Sequence, residues 1–544
     1  MSSTNLFSNN EAEETPSTLI PQPSTLTSQP STLTSQPSTL TSQPSSLTSQ
    51  PSTLTSQPSS LTSQPSSLTS QPSTLYEVEE GALEEALFPL RDKDLPPIIR
   101  EVVMNAPQNR KIPSFVACLS PLCALATRVR TKYHYDSRVS ALLLQVIIEG
   151  PQSVGKSFAA DIERLLMDNT LKLRDKQQRR IEQQYRELKK KRAANEKLEE
   201  EPKTTIRVIP ATISKTVLTK RADYYERILG DTLTFWMFAE ELAQVTDAGK
   251  QGYSNLRTIM RTAYDFGSQF GMDYASDNSY SAIVDINICS MFCATPAAVD
   301  DYMDKKAIEG GNCTRQILCQ LSDELGADGS IFKPYSEEQL EIINSMLQKM
   351  MSDTYDGDGN LLPEIMLDTR WIDSSVQRWC KDRGTEAVLS GRDAVDVFRK
   401  RSSVSAFRCA ALCFYLYMLE AGIDCRKEIP FDHPKVKRAV RNCKKLYFYM
   451  ADYIIRSLLS RWGCRFEELN AKREEGKSNS NEPTLYDQLS EEFSRDQLNA
   501  LLKQRAKKTP ARIFICQWTK RKLIQPIEND RYRKIAKVDP YKSL

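Results

Sequence analysis

The octapeptide Gly150-Pro151-Gln152-Ser153-Val154-Gly155-Lys156-Ser157 limits what this chain can fold into more than any other stretch. An apolar, β-branched run, 142–148, precedes it, and a helix-like pattern resumes at once with Phe158-Ala-Ala-Asp161. Strand, loop and helix in that order are what G-x-x-x-x-G-K-[ST] needs to act as a phosphate-binding loop. Gly150 and Gly155 carry no Cβ, so the loop can curl with its N–H groups inward. The next helix then adds the positive end of its dipole. Lys156 would reach the β- and γ-phosphates, and the Ser157 hydroxyl would be a ligand of Mg²⁺. The expectation is an α/β P-loop NTPase core on a RecA/AAA-like parallel sheet, spanning 141–330 and using ATP and Mg²⁺. The plain alternative is an ordinary strand-to-helix turn.

A second motif follows at a distance that suits the first. Residues 205–213 read as a strand, Ser214 opens a helix, and Asp231-Thr-Leu-Thr-Phe-Trp-Met-Phe238-Ala-Glu240-Glu241 is a buried strand ending in two carboxylates. Such a pair would stand beside the metal and the γ-phosphate, Glu240 on the metal side and Glu241 orienting the attacking water. Aspartate is more usual at the first position, and glutamate is one methylene longer. Residues 255–263 read as a basic amphipathic helix with Arg257 and Arg261, and 269–275 with 279–285 read as a hairpin around Asp277-Asn278. A further apolar strand, 286–292, runs into Cys293-Ala294-Thr295-Pro296, making Thr295 a candidate γ-phosphate sensor. Arg315, after Gly310-Gly311, is either an arginine finger in cis or from a neighbouring subunit, or an ordinary salt-bridge partner.

The flanks are of a different kind. From Pro23 to Pro72 the sequence Pro-Ser-Thr/Ser-Leu-Thr-Ser-Gln repeats every seven residues, and a proline in each repeat forbids a coiled coil. Residues 1–75 therefore read as a disordered tail, either a spacer or a docking repeat. Residues 76–140 read as a helical lead-in, with Leu95-Pro96-Pro97 starting one helix and 114–129 forming another. It could close over a nucleotide base or simply pack. The charged stretch 171–203 reads as a helical insertion projecting from the core, solvated or, through Lys189-Lys190-Lys191-Arg192, touching nucleic acid. Residues 331–465 read as a helical domain; within them Asp356-Gly-Asp-Gly359 lacks the flanking ligands of an EF-hand and reads as a turn. Residues 466–483 read as a linker.

The chain ends in a compact pattern over 484–544. Thr484 with Asp487 caps one helix, Ser494 with Gln497 forms a capping box for a second, and Thr509-Pro510 starts a third that ends near Lys520. Strand-like runs at 523–527 and 531–535 flank Glu528-Asn-Asp530. Three short helices and a β-wing make a winged helix-turn-helix, presenting Arg512, Gln517 and Lys520 to a groove and Arg531, Arg533 and Lys534 to phosphates. This tail holds fourteen Lys and Arg against seven Asp and Glu, although the whole chain carries only +3. That excess points to DNA; a protein-binding winged helix is the alternative. Thirteen cysteines without a C-x-x-C pair, and only two histidines, make zinc unattractive and fit reduced thiols in a cytoplasmic protein. The longest apolar run, 409–419, is too short for a bilayer, so no membrane partner is expected.

In order, Leu95-Pro96-Pro97, the 150–157 motif, Ala211-Thr212, Glu240-Glu241, Ala294-Thr295-Pro296 and the Gly310-to-Arg315 stretch resemble the YfjI-like P-loop family of unknown function. That family accompanies primases on phages, plasmids and bacterial mobile elements, near the virulence-associated protein E group. The resemblance spans roughly residues 90–425, and Glu240 departs from its usual pattern. It implies an ATP-driven, helicase-like motor in replication of a mobile element. A disordered tether cannot fold into a primase domain, so any primase is expected on a separate chain, and a motor of this kind is expected to work as a homo-oligomeric ring, with a hexamer as the expected number. A DNA-bound, ATP-switched regulator or initiator is the competing expectation.

Overall fold

The computed structural model describes residues 88–136, 138–191, 202, 204–250, 256–272, 280–322, 329–477, 485–486, 488–504, 510–520, 523–528 and 530–535. The repeat tail 1–75 and the acidic start of the lead-in lie outside these residues.

Strands buried on both faces read as unbroken apolar runs rather than alternating ones, and four of the five strands at the centre of the protein are of that kind, the short edge strand 208–210 being the exception. The five are β1 (Gln145–Glu149), β2 (Val208–Pro210), β3 (Thr234–Ala239), β4 (Asn287–Ala294) and β5 (Gln316–Gln320). All five run parallel, in the spatial order β2-β3-β4-β1-β5. This is an α/β core. The register sets Glu149 opposite both Ala294 and Gln320, and Ala239 opposite Phe292, so the carboxyl ends of β1, β3, β4 and β5 finish along one edge. Open parallel sheets bind ligands at that edge.

Helices cover the sheet. Helix α1 (Pro97–Asn105) starts with proline at its first turn, where a missing N–H costs nothing. Helix α2 (Lys111–Leu125) lies across β1 and β4, its Ser120 hydroxyl 2.8 Å from the Leu144 carbonyl and 2.9 Å from that of Ser290. Helix α3 (Ser157–Met167) follows β1 and packs on α2. Helix α4 (Leu173–Lys191) departs from the expected projecting arm, because its first half is strapped along the open edge of β2. Asp175 accepts from the backbone N–H groups of Arg207 at 2.7 Å and Val208 at 2.5 Å. Arg179 donates to the Val208 carbonyl at 2.7 Å. An uncovered edge strand is a template for aggregation, and α4 removes it. Lys189, Lys190 and Lys191 are exposed; Arg192 lies outside the described residues.

Residues 129–141 are not helical as the lead-in reading expected. Val129–Lys132 pairs with Val139–Ala141 and with Ile365–Met366 in a three-stranded sheet. Val129, Thr131 and Val139 suit a pleated surface, and the third strand comes from far along the chain, so tertiary pairing overrides the local pattern. Gln269–Met272 and Ala282–Asp285 pair antiparallel; Asp277 and Asn278 lie outside the described residues. Asp356 closes a turn by accepting from the N–H groups of Asp358 and Asn360.

The helical body consists of α5 (Asp373–Ser390), α6 (Asp393–Ala421) and α7 (Pro434–Leu458). Among the described residues α6 is the one helix long and apolar enough to cross a bilayer, but 83% of its most apolar window is buried in the core. Its Arg408 is buried too, donating to the carbonyls of Leu143 at 2.8 Å and Tyr264 at 3.1 Å. The expected linker 466–483 is helical in its described part, within Cys464–Lys477, whose Glu, Lys and Arg are good helix formers.

At the end of the chain, Glu492–Ser494, Ile524–Pro526 and Arg531–Lys534 form a three-stranded antiparallel sheet. It packs with helices α8 (Arg495–Gln504) and α9 (Ala511–Lys520) around a separate core that includes Phe493, Leu498, Leu502, Ile515 and Trp518. Ser494 and Gln497 make the reciprocal capping bonds, at 3.2 and 2.8 Å. Residues 485–489 form turns in the described part, while Thr484 and Asp487, the expected cap of a first helix, lie outside it.

Candidate functional site

The turn from β1 into α3 is built by backbone geometry. Ser153 and Gly155 both take left-handed φ values, 65° and 79°. Left-handed residues on either side of Val154 curl the chain into the kind of concavity in which successive N–H groups converge on an anion. Gly150 is needed for contact rather than for φ. A Cβ there would lie 2.7 Å from Val154 Cγ1 and 3.1 Å from Leu321 Cβ. Pro151, Gln152, Ser153, Gly155 and Ser157 are exposed, whereas Val154 is buried beneath them. Ser157 is the first residue of the eleven-residue α3, so its hydroxyl stands where the helix dipole is most positive.

Lys156 folds back over this turn. Its Nζ donates to the Gly150 carbonyl at 2.8 Å and also to the Pro151 carbonyl. Burial lowers its pKa from the ordinary lysine value, and the Cys293 sulfur opposes that effect. An ammonium held only by neutral carbonyls can exchange them for a stronger anionic acceptor at little cost.

β3 ends in Glu240 and Glu241, both exposed. The Leu242 N–H donates to the Cys293 carbonyl at 2.8 Å and so stitches this acidic turn to the end of β4, the strand next to β1. Cys293 registers the neighbourhood. Burial pushes its thiol up to about 12, Lys156 pulls the other way, and Glu240 pushes further up. The loop lysine and the first glutamate therefore bear on one sulfur with opposite signs. Thr295 stands at the end of β4, between the two strands that carry them. Its hydroxyl caps the helix Pro296–Tyr302 by accepting from the Ala298 N–H at 3.3 Å.

Arg315 is not in this group. It immediately precedes β5, whose first residue pairs with Gln145 at the start of β1, so it lies at the opposite, amino-terminal edge of the sheet. There its Nη2 is 2.9 Å from Asp265, which also binds Arg401 at 2.7 Å, and its Nη1 donates to the Gly311 carbonyl at 3.0 Å. In this arrangement it is a salt-bridge partner and cannot reach the 150–157 loop of its own chain. Arg257 and Arg261 are likewise engaged, with Asp304 at 2.6 Å and with the Gly310 carbonyl at 3.3 Å.

Two supports of the loop carry no local sequence signal. Glu149, only 3% exposed, accepts from Arg461 at 2.9 Å and from Gln320 at 2.9 Å, and Arg461 also binds Asp300 at 3.1 Å. Arg110 donates to the Val154 carbonyl at 3.0 Å. In each case the partner lies far away in sequence.

In the C-terminal module Arg512 is exposed, and the side chains of Gln517 and Lys520 lie outside the described residues. The hairpin cations are already engaged. Arg533 lies 2.7 Å and Arg531 3.7 Å from Glu492, while Lys534 donates to the Leu489 carbonyl and sits over the Tyr486 ring.

The fold and the edge site thus define an α/β protein with a five-stranded parallel sheet and a loop suited to anions. No protein-family model matches the chain, and no curated protein matches it.

Proposed function

We propose that this chain is a Mg-ATP-dependent, helicase-like motor acting on DNA in the replication of a bacterial mobile element or phage. In this reading it is a YfjI-like P-loop ATPase of the cytoplasm that works as a homo-oligomeric ring beside a primase on another chain. One observation carries the enzymatic part: the 150–157 turn and the Glu240-Glu241 turn close β1 and β3 at the same sheet edge, with Lys156 and Glu240 both bearing on Cys293. The order β2-β3-β4-β1-β5 supports a RecA/AAA-like core, because the strand between the two motifs then delivers Thr295 between them.

Each residue has a defined task. The N–H groups of the 150–157 turn hold phosphate oxygens, and Lys156 trades two carbonyls for the β- and γ-phosphates. Ser157 and Glu240 offer hard oxygen donors that suit Mg²⁺, which neutralises charge developing on the phosphate oxygens when bound. Glu241 orients the attacking water, and Thr295 contacts the γ-phosphate through the hydroxyl proton that its capping role leaves free. Arg315 stabilises the transition state only from a neighbouring subunit, after release by Asp265. The C-terminal module, read as a winged helix, grips DNA through Arg512, Gln517 and Lys520.

The engaged hairpin cations favour a second reading for the DNA side. With Arg531 and Arg533 on Glu492, the wing is not free to track phosphates, which suits an ATP-switched regulator that binds without unwinding. Strand displacement on a forked duplex, measured beside hydrolysis with and without single-stranded DNA, separates the two. ATP-dependent displacement supports the motor; DNA-stimulated hydrolysis with no displacement at any protein loading supports the switch.

A further inference from the structure

Between residues 434 and 451 helix α7 carries Lys435, Lys437, Arg438, Arg441, Lys444 and Lys445, and no carboxylate. Val436, Ala439, Cys443, Leu446 and Met450 are buried, so the cations turn outward; all are exposed except the half-buried Lys444. Arg438, Arg441 and Lys445 stand at i, i+3 and i+7 and form one line along the helix, with Lys437 and Lys444 beside it. From Lys435 to Lys445 the row runs about 15 Å, at about 1.5 Å of rise per residue. A merely solvated helix interleaves both signs, because like charges three and four residues apart repel. The nearby acids do not cancel this row. Asp94 is already matched by Arg438 at 2.6 Å and Arg91 at 2.9 Å, Asp432 by Lys437 at 3.3 Å and Glu420 by Arg100 at 3.8 Å. The side chains of Lys93, Lys435, Arg441, Lys444 and Lys445 meet no hydrogen-bond or ion-pair partner among the described residues. The charge continues off the helix, since Lys93, Arg100, Lys435 and Arg438 border one cleft of about 160 Å³ with Asp94 and Glu420. Further along α7, Arg378 of α5 lies over the Phe448 ring, 4.9 Å from its centre.

We propose that this face of α7 docks on the backbone of duplex DNA, as a second contact beside the C-terminal module. The inference rests on the DNA part of the reading above and not on its ATP part. A row of unneutralised cations fits a polyanion, and each phosphate it meets releases counterions. The aromatic rings decide duplex over single strand. Single strands are held by stacking their bases on free rings. Here Phe448 is covered by Arg378, and Tyr449 is stacked on Tyr453 and meets Phe88 edge-on. Lysine and arginine on phosphates carry no sequence information, so the docking is the same for any duplex.

The test is binding of the full-length chain to duplexes of two unrelated sequences and to a single strand, from about 50 to about 200 mM salt. It compares wild type, Arg441→Gln/Lys445→Gln, and the control Lys333→Gln/Lys349→Gln, which removes two exposed cations outside this face. Each phosphate contact on a duplex contributes about 0.9 to the slope of log K against log salt. The α7 pair should therefore lower that slope by about two and weaken binding by about tenfold or more, equally for both duplexes. Its melting temperature should not change, because neither side chain has a partner to lose, and the control should change neither slope nor affinity. A wild-type slope in the α7 variant, an equal loss in the control, or a loss confined to the single strand or to one of the two sequences overturns the proposal. The first of these results leaves DNA on the C-terminal module alone. Wild type that binds no DNA removes the DNA reading and this proposal together.

Discussion

Arg461 reaches the carboxylate of Glu149 at 2.9 Å, tying the C-terminal helical body to the residue just before Gly150. Removing one partner of a buried pair usually costs about 3–5 kcal/mol because the other charge is stranded. Arg461 is partly solvated, so Arg461→Ala should cost about 2 kcal/mol. Adding Glu149→Gln should recover part of that loss in a denaturation-based double-mutant cycle. Additive single losses would mean that the pair contributes no coupling.

Gly150→Ala should disrupt the turn by contact, and Gly155→Ala by strain. The first places a methyl 2.7 Å from Val154 Cγ1; the second has open space but a φ of 79°. Overpacking costs about 1–3 kcal/mol and a left-handed non-glycine residue about 1–2 kcal/mol. Thermal melts should show both losses, with Mg-ATP binding weakened in each. Full affinity in Gly150→Ala would argue against a rigid turn.

Asp175 should give the fold an inverse dependence on pH. Burial lifts its carboxyl to about 6 in the folded state, from an ordinary value of 3.8, although the N–H groups of Val208 and Arg207 oppose the shift. Between these values the folded state holds the extra proton. The associated stability is therefore full below about pH 4 and lost as pH rises through about 6. The stability of Asp175→Asn relative to wild type should rise by up to about 3 kcal/mol across that window and stay level above it. A relative stability independent of pH would show that Asp175 titrates normally.

Deleting residues 484–544 should leave the remainder folded, because the module closes around its own core. DNA affinity should fall and its salt dependence flatten as phosphate contacts disappear. Equal affinity and an equal salt slope with and without the module would remove it as the DNA-binding part.

The sequence displays what is local and hides what is paired at long range. The 142–148 run, the two glycines and Lys156 announce strand, turn and helix within one short window. Ser494 and Gln497 announce their capping box in the same way. Burial on both faces makes β3 and β4 legible as apolar runs. By contrast, nothing near Val129 reveals its pairing with Ile365, and nothing near Asp175 reveals that it covers the edge at Arg207 and Val208. Arg315 misleads for the same reason. Its place after Gly310-Gly311 is readable, but the strand it precedes, the partner Asp265 and the edge on which it sits emerge only from the sheet register.

The most direct measurement is Mg-ATP turnover by the full-length chain, with and without single-stranded DNA, in wild type, Lys156→Ala and Glu241→Gln. The account predicts that each substitution lowers turnover by about a hundredfold or more, as for other groups acting directly on the transferring phosphoryl, with unchanged melting temperatures. Wild-type turnover in both variants would contradict it.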